Sequence, residues 1–186
     1  VNLTQDPKVF SYVSTVRFTC SEEGQETFID AITASVESIE LNGLDLDPSK
    51  YSDGTRITLP NLKSENLLTV KAHGAFSNSG EGLHRFVDPV DNEVYFYTQF
   101  EVPDSRRMFA VFEQPDLKAS FEFKIIGSQN WQMISNSTTP KPVLIGEGLA
   151  RWDFAPTPRI SSYITALVAG PYTVWRDELT SSNGQV

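Results

Sequence analysis

The sequence predicts an all-β, antiparallel domain, and three observations lead to that prediction. Apolar side chains recur at every second position along most of the chain, which is the period of a half-buried strand. Turn-forming residues interrupt these segments roughly every 8–15 residues. Phe, Tyr and Trp make up 11% of the 186 residues, which is enough to fill a core. The pattern fits an antiparallel sandwich, or a curved sheet covered by a second layer.

The individual elements follow from this alternation in chain order. The first strand places Phe10 and Phe18 on one face and Arg17 on the other. Asn42-Gly43 is a tight-turn signal, and the Asp-, Ser- and Gly-rich stretch 45–54 is predicted to be a loop. The predicted strands are Phe10–Cys20, Thr27–Leu41, Thr55–Leu59, Leu67–His73, Leu83–Val87, Glu93–Glu101, Ser120–Ile126, Leu149–Phe154, Ser161–Ala169 and Tyr172–Arg176.

One short helix is expected, at Pro103–Phe112. Proline fits the first turn of a helix, and the carboxylate of Asp104 suits the positive end of the helix dipole. The stretch Thr180–Gly184 has the composition of a linker. The length fits a single domain covering residues 1–186.

Charge and composition exclude several classes of partner. Lys and Arg number 15 against 24 Asp and Glu, so the net charge is −9, and nucleic acid or an anionic membrane is not expected as a partner. No apolar run approaches the roughly 20 residues of a membrane-spanning helix. The single cysteine, Cys20, predicts a reducing, cytoplasmic location. Because the chain begins at Val1 without a leader, we expect it to be a piece of a longer chain.

Familiar catalytic and metal-binding motifs are missing from the sequence. The two histidines, His73 and His84, belong to no H-E-x-x-H motif, and no G-x-S-x-G is present. The cluster of Asp45, Asp47 and Asp53 lacks the Glu and Gly of a calcium loop. The sequence therefore predicts no metal site and no catalytic residue within this chain.

The segment Val94–Glu101 has the most unusual organisation. Alternation places Tyr95, Tyr97, Gln99 and Glu101 on one face of a strand and apolar residues on the other. Two phenols, an amide and a carboxylate on one face could recognise a cationic ligand. An ordinary solvent-facing strand explains the same pattern, and the pattern alone favours it.

A family resemblance rests on several motifs that occur in a fixed order. These motifs are Gly82-Leu83-His84-Arg85-Phe86, Tyr97-Thr98-Gln99-Phe100-Glu101, Arg106-Arg107-Met108-Phe109, Phe112-Glu113-Gln114-Pro115-Asp116 and the stretch Trp152–Ile164. In these motifs the chain resembles the N-terminal domain of the bacterial aminopeptidase N family. These are zinc-dependent gluzincin metalloaminopeptidases. The resemblance covers nearly the whole chain.

The resemblance implies a saddle-shaped β-sandwich that packs against a thermolysin-like catalytic domain of the same polypeptide. It also implies that Glu101 binds the protonated α-amine of a peptide substrate and that Gln99 lines the same pocket. The zinc ligands and a G-x-M-E-N segment would then lie beyond Val186, so this chain would hold no zinc and lack the catalytic domain. The family often has a cysteine and Asp-Glu-Pro where this chain has Ala110–Pro115, which leaves the role of Glu113 open.

Two other classes of function compete with this interpretation. A stand-alone β-sandwich module could bind a carbohydrate or a protein through Tyr95, Tyr97, Trp131 and Trp152. A structural spacer would show no binding surface. A domain that docks on a partner should expose an apolar patch, whereas a carbohydrate-binding module should show a shallow aromatic groove.

Overall fold

A computed structural model describes residues 1–175 and 177–182 of the chain. Within these ranges the chain is built from short antiparallel strands, one α-helical turn and two 3₁₀ turns. The strands are β1 (Val9–Thr19), β2 (Thr27–Asp30), β3 (Ser35–Leu41), β4 (Leu44–Leu46), β5 (Arg56–Leu59), β6 (Glu65–Ala75), β7 (Gly82–Val87), β8 (Val94–Gln99), β9 (Lys124–Ser128), β10 (Gln132–Ser135), β11 (Val143–Gly146), β12 (Leu149–Asp153) and β13 (Leu167–Gly170); the α-helical turn is α1 (Pro48–Tyr51), and the 3₁₀ turns are Ser105–Arg107 and Ser162–Ile164.

The strands form four antiparallel groups, which confirms the all-β prediction. Their orders are β1-β6-β3-β4, β10-β13-β8-β7, β11-β12-β9 and β2-β5. The N-terminal residues link the first and third groups, because Asn2 N–H donates to the Ser11 carbonyl and Leu3 N–H to the Ile126 carbonyl. Strand β8, which carries the candidate site, lies between β13 and β7.

Aromatic side chains pack the first group of strands against the second. Phe10 on β1 lies 5.1 Å from the Phe76 ring, Phe76 lies 5.2 Å from Phe96 on β8, and Phe96 lies 5.4 Å from Trp131. Phe10 and Phe96 are fully buried. The alternation predicted for the first strand is confirmed, since Phe10 and Tyr12 are buried whereas Val13 and Thr15 are exposed.

The helix predicted over Pro103–Phe112 is largely wrong, since only Ser105–Arg107 forms a 3₁₀ turn. The segment that follows is extended: Val111 and Asp30 exchange both of their backbone hydrogen bonds. The Ala110 N–H donates to Ser14 Oγ at 3.1 Å instead of to a helical carbonyl. Pairing with β1 and β2 therefore overrides the local helical signals.

Two predictions in the first half of the chain also need correction. The single strand predicted over Thr27–Leu41 is split into β2 and β3, which belong to different groups. The loop predicted over 45–54 contains the helical turn α1, which Asp47 caps by accepting a hydrogen bond from Ser49 N–H at 3.0 Å. Asp followed by Pro is a helix-start signal, so the sequence contained this information.

Strands in the second half are shorter and displaced relative to the prediction. Ser120–Ile126 gives β9, which begins only at Lys124, and Ser161–Ala169 divides into a 3₁₀ turn and β13. Of the strand predicted over Tyr172–Arg176, the first four residues are irregular and Arg176 lies outside the described residues, as do Asn183 and Gly184 of the predicted linker. No helix in the described ranges has the length and apolar character that crossing a bilayer requires.

Candidate functional site

Strand β8 presents one packed face and one open face. Phe96 is buried and Thr98 half-buried, whereas Tyr97 and Gln99 are exposed. Across the ladder, Gln99 pairs with Gly82 of β7 and Tyr97 pairs with His84. Gly82 is buried, and a Cβ at this residue would lie 3.0 Å from Cβ and from Cδ of Arg107, so the Arg107 side chain occupies the strand position next to Gln99. The open face near the end of β8 therefore carries Gln99, Tyr97 and His84.

Gln99 is the last residue of β8, and Glu101 lies in the turn that follows. The Gln99 side-chain carbonyl accepts a hydrogen bond from Glu101 N–H at 2.7 Å. This contact leaves the amide NH₂ of Gln99 as a donor. The Glu101 carboxylate is exposed, and it has neither a hydrogen bond nor an ion pair within the part of the chain that the structure describes.

The turn that carries Glu101 is anchored at both ends. On one side, Phe100 is buried against Phe109, with ring centroids 6.0 Å apart, and its carbonyl accepts a hydrogen bond from Asp104 N–H. On the other side, Ser105 has no exposed surface. The residues between them are exposed or half-buried. The carboxylate of Glu101 is thus presented by a short turn between two buried residues.

Ser105 is held by Glu113, and we call Glu113 with its three partners, Ser105, Arg106 and Ser162, the Glu113 cluster. Glu113 Oε2 accepts hydrogen bonds from Ser105 Oγ at 2.5 Å and from Arg106 N–H at 2.8 Å. Glu113 Oε1 accepts one from Ser162 Oγ at 2.6 Å. One carboxylate therefore joins the Glu101 turn to the 3₁₀ turn that precedes β13.

The cations nearest to Glu101 along the chain already have acidic partners. Arg106 forms an ion pair with the buried carboxylate of Asp30, at 3.6 Å. Arg107 Nε lies 2.6 Å from Asp104 Oδ1, and a second guanidinium nitrogen lies 3.6 Å from Glu81. Glu101 is therefore the carboxylate of this turn that these arginines leave unpaired.

Tyrosines and acids surround the opposite end of β8. The Tyr95 ring lies 4.9 Å from the ring of Tyr172 in an edge-on arrangement. Desolvation, with a further contribution from the charges of Asp91, Asp88 and Glu93, raises the pKa of Tyr95. Desolvation also raises the pKa of Tyr172. Both phenols stay neutral near pH 7, so this end of the strand offers hydroxyl groups, not charges.

The four aromatic residues proposed for a carbohydrate-binding face do not share a surface. Trp152 is only 2% exposed, and Trp131 is half-buried against Phe96. Tyr97 is exposed and packs on His84 at 4.7 Å, while Tyr95 packs on Tyr172. Because stacking on a sugar needs an accessible ring, this arrangement does not favour a carbohydrate-binding groove.

Strand β11 carries a run of three exposed apolar side chains. Val143, Leu144 and Ile145 are all exposed, Leu144 to 68%, although successive residues of a strand point to opposite faces. Among the described strands β11 pairs only with β12, through a bulged ladder that ends in a turn at Glu147 and Gly148. This hairpin is an apolar surface of the kind expected where a domain contacts a partner.

The described residues do not contain a metal-binding group. Nowhere in 1–175 and 177–182 do three or more His, Cys, Asp or Glu side chains come together as a metal site would require. His73 lies by Ser35 and Glu37 on the first group of strands. His84 Nδ1 on β7 accepts a hydrogen bond from Gly80 N–H at 3.1 Å. These residues do not fit a zinc centre.

Comparison with known protein families settles the ancestry of the chain. The family model of the peptidase M1 N-terminal domain matches residues 1–164. The chain belongs to the peptidase M1 family. It is 52% identical over 169 residues to aminopeptidase N of Streptomyces lividans, a match that covers 90% of this chain and 19% of that protein. The resemblance inferred from the sequence motifs is therefore confirmed.

More distant relatives bear the same name. Aminopeptidase N of Acetobacter pasteurianus is 28% identical over 169 residues, covering 79% of this chain and 47% of the relative. Aminopeptidase N of Rattus norvegicus is 26% identical over 189 residues, covering 88% of this chain and 19% of the relative. The chain thus spans between about a fifth and a half of the length of these M1 proteins.

Sequence reasoning singled out Gln99 and Glu101, whose roles stay predictions, and it missed the contacts of Glu113. The partners of Glu113 lie 7, 8 and 49 residues away along the chain. No local motif connects residues at such separations. The only signal was that an acidic residue lies between the aromatic Phe112 and a Gln-Pro pair, which indicates a turn and nothing about its contacts.

Proposed function

We propose that this chain is the non-catalytic N-terminal domain of a zinc-dependent aminopeptidase, which removes N-terminal residues from peptides, and that Glu101 anchors the free α-amine of the substrate. In this proposal the catalytic domain belongs to the same polypeptide and holds the zinc, since the residues described here do not fit a zinc centre. The zinc would polarise the scissile carbonyl and activate water. The unpaired cysteine supports a reducing, cytoplasmic location.

The observation that carries the proposal is that the Glu101 carboxylate is exposed and has no partner among the described residues. The turn that carries Glu101 is fixed by Gln99 and by two buried anchors. An ammonium group about 4 Å from a carboxylate gains on the order of 4 kcal/mol at an effective dielectric near 20, before desolvation. The free Gln99 NH₂ group would donate to a carbonyl oxygen of the same substrate.

This arrangement explains how a peptidase could restrict cleavage to the first residue. A peptide's free N-terminus carries a positive charge, whereas an internal peptide nitrogen carries none. A substrate without the charge leaves the carboxylate unpaired in the closed site, so its transition state is bound less well. The apolar β11 hairpin supports the further point that this domain docks on a neighbouring domain.

The test is Glu101→Ala in the full-length protein, measured as kcat/KM on an aminoacyl substrate. A hydrogen bond to a charged group contributes about 1.5–3 kcal/mol, so we expect a loss of about 10- to 100-fold at 1.4 kcal/mol per factor of ten. Glu40→Ala, which removes an exposed carboxylate on β3, is the matched control and should leave kcat/KM unchanged.

A second measurement tests recognition of the α-amine separately from the rest of the substrate. An amino-acid amide and its des-amino analogue are compared as competitive inhibitors of the wild type and of Glu101→Ala. The wild type should prefer the amine-bearing inhibitor, and the variant should lose most of that preference. Unchanged kinetics together with an unchanged preference would remove Glu101 from amine recognition.

A further inference from the structure

We infer that Glu113 is a positioning residue, which fixes the turn that carries Glu101 and acts on the substrate only through that turn. The inference rests on the proposed function of Glu101. It starts from the Glu113 cluster, in which a single carboxylate accepts three hydrogen bonds from Ser105, Arg106 and Ser162. Two of those partners, Ser105 and Ser162, have almost no exposed surface.

The contacts reach Glu101 from the C-terminal side of its turn. Ser105 and Arg106 follow Glu101 by four and five residues, and both donate to Glu113 Oε2. Of the three residues between Glu101 and Ser105, Val102 and Pro103 are exposed, and Asp104 accepts a hydrogen bond from Arg107 Nε at 2.6 Å. Without the Glu113 carboxylate, the buried hydroxyl of Ser105 and the Arg106 N–H lose their acceptor, and this end of the turn loses two of the hydrogen bonds that hold it in place.

The third contact ties the same carboxylate to the strand beside β8. Ser162 lies in the 3₁₀ turn before β13, and β13 pairs with β8. Leu167 N–H on β13 donates to Thr98 Oγ1 at 2.8 Å, next to Gln99. Glu113 therefore holds the Glu101 turn in place relative to β8, the strand that carries Gln99. The side chains of Gln99 and Glu101 then keep a constant position relative to each other.

Glu113 itself is not placed to meet the substrate. Both of its carboxylate oxygens are occupied by neutral donors from this chain, and the side chain is partly buried. A displacement of about 1 Å in a binding group is enough to lower catalytic efficiency strongly, so a residue that only holds the turn can have a large kinetic effect.

The experiment is a double-mutant cycle in the full-length protein, with kcat/KM as the readout. Glu113→Ala should lower kcat/KM about 5- to 20-fold when Glu101 is present, and less than about twofold in the Glu101→Ala background. Glu113→Gln keeps an acceptor for Ser105 and Arg106, and its NH₂ can donate to the Ser162 hydroxyl, so it should stay within about threefold of the wild type. Gln114→Ala changes the exposed neighbour and should have no effect.

The inhibitor preference separates positioning from a loss of folded protein. Fewer folded molecules lower kcat alone, whereas a displaced Glu101 raises KM and weakens the preference for the amine-bearing inhibitor. If Glu113→Ala does not accumulate as folded protein, Ser105→Ala, which removes one hydroxyl of the cluster, replaces it and should show the same pattern to a smaller degree.

Each result decides the inference. Equal losses from Glu113→Ala with and without Glu101, or an unchanged inhibitor preference, would overturn it while leaving the role of Glu101 intact. A Glu101→Ala variant with normal kinetics would overturn the proposed function first, and the inference with it. Non-additive losses with a weakened amine preference would support both.

Discussion

Asp53 shows how one exposed carboxylate organises the turn that leads into β5. Its Oδ1 accepts hydrogen bonds from Thr55 N–H, Thr55 Oγ1 and Arg56 N–H at 2.7, 2.8 and 2.7 Å. The Thr55 hydroxyl is the largest of the causes that lower the pKa of Asp53 below its ordinary value of 3.8. Because the folded-state pKa is lowered, the charged form of Asp53 stabilises the fold. This stabilisation is present above the unfolded-state pKa and is lost as the pH falls through the folded-state pKa.

We therefore predict that Asp53→Asn lowers the urea midpoint at pH 7, and that the difference from the wild-type midpoint disappears as the pH falls below the ordinary pKa of 3.8. Thr55→Val removes the hydroxyl donor, so the pKa of Asp53 in the folded protein should be less lowered. In the Thr55→Val background, the difference in midpoint caused by Asp53→Asn should therefore disappear at a higher pH. Midpoints measured between pH 2 and 7 test both statements. A difference in midpoint that is constant over this range would contradict the hydrogen-bonding explanation.

Among the elements, β1 and β6 show how close packing restricts a single position. Gly74 on β6 pairs with Phe10 on β1, and the Phe10 ring lies directly over it. A Cβ at residue 74 would lie only 2.3 Å from Phe10 Cζ. Because Phe10 is fully buried within the core, the ring has little room to move away.

Gly74→Ala should accordingly destabilise the domain by about 1–3 kcal/mol, the usual cost of overpacking a core. Phe10→Leu removes the ring atoms that the new methyl group meets, so the double variant should lose less than the sum of the two single losses. Urea denaturation of the four proteins measures this coupling. Additive losses would show that the contact with the Phe10 ring is not the cause of the loss from Gly74→Ala.

The elements also show which parts of the fold were predictable. The alternation of Phe10, Tyr12 and their neighbours fixes the face of β1 that is buried, because the period of two is a local property. The segment after Pro103 has helical signals of equal local quality, yet Val111 pairs with Asp30, which is 81 residues earlier in the chain. Pairing between distant segments carries no local signature, so it overrode the prediction.

At the scale of the whole molecule, one part of the candidate site could be predicted from local sequence patterns, and the other part depends on contacts between distant segments. Gln99 and Tyr97 could be placed on an open face from the alternation of β8 alone. Glu101 lies beyond the strand, and its proposed role came from the motif and not from periodicity. The Glu113 cluster needed the folded chain, because Ser162 belongs to a turn that only β13 brings next to the Glu101 turn.

The last prediction concerns the chain on its own. Its described residues include the exposed carboxylate of Glu101 but no set of three metal ligands, and His73 and His84 lie on strands of different groups. The isolated chain with added zinc should therefore give no turnover of a fluorogenic aminoacyl substrate above a zinc-only blank, whereas the full-length protein should be active. Turnover by the isolated chain that Glu101→Ala abolishes would mean that this domain contains a complete active site. That result would contradict a division of labour in which one domain measures the substrate's charged end and another carries out the hydrolysis.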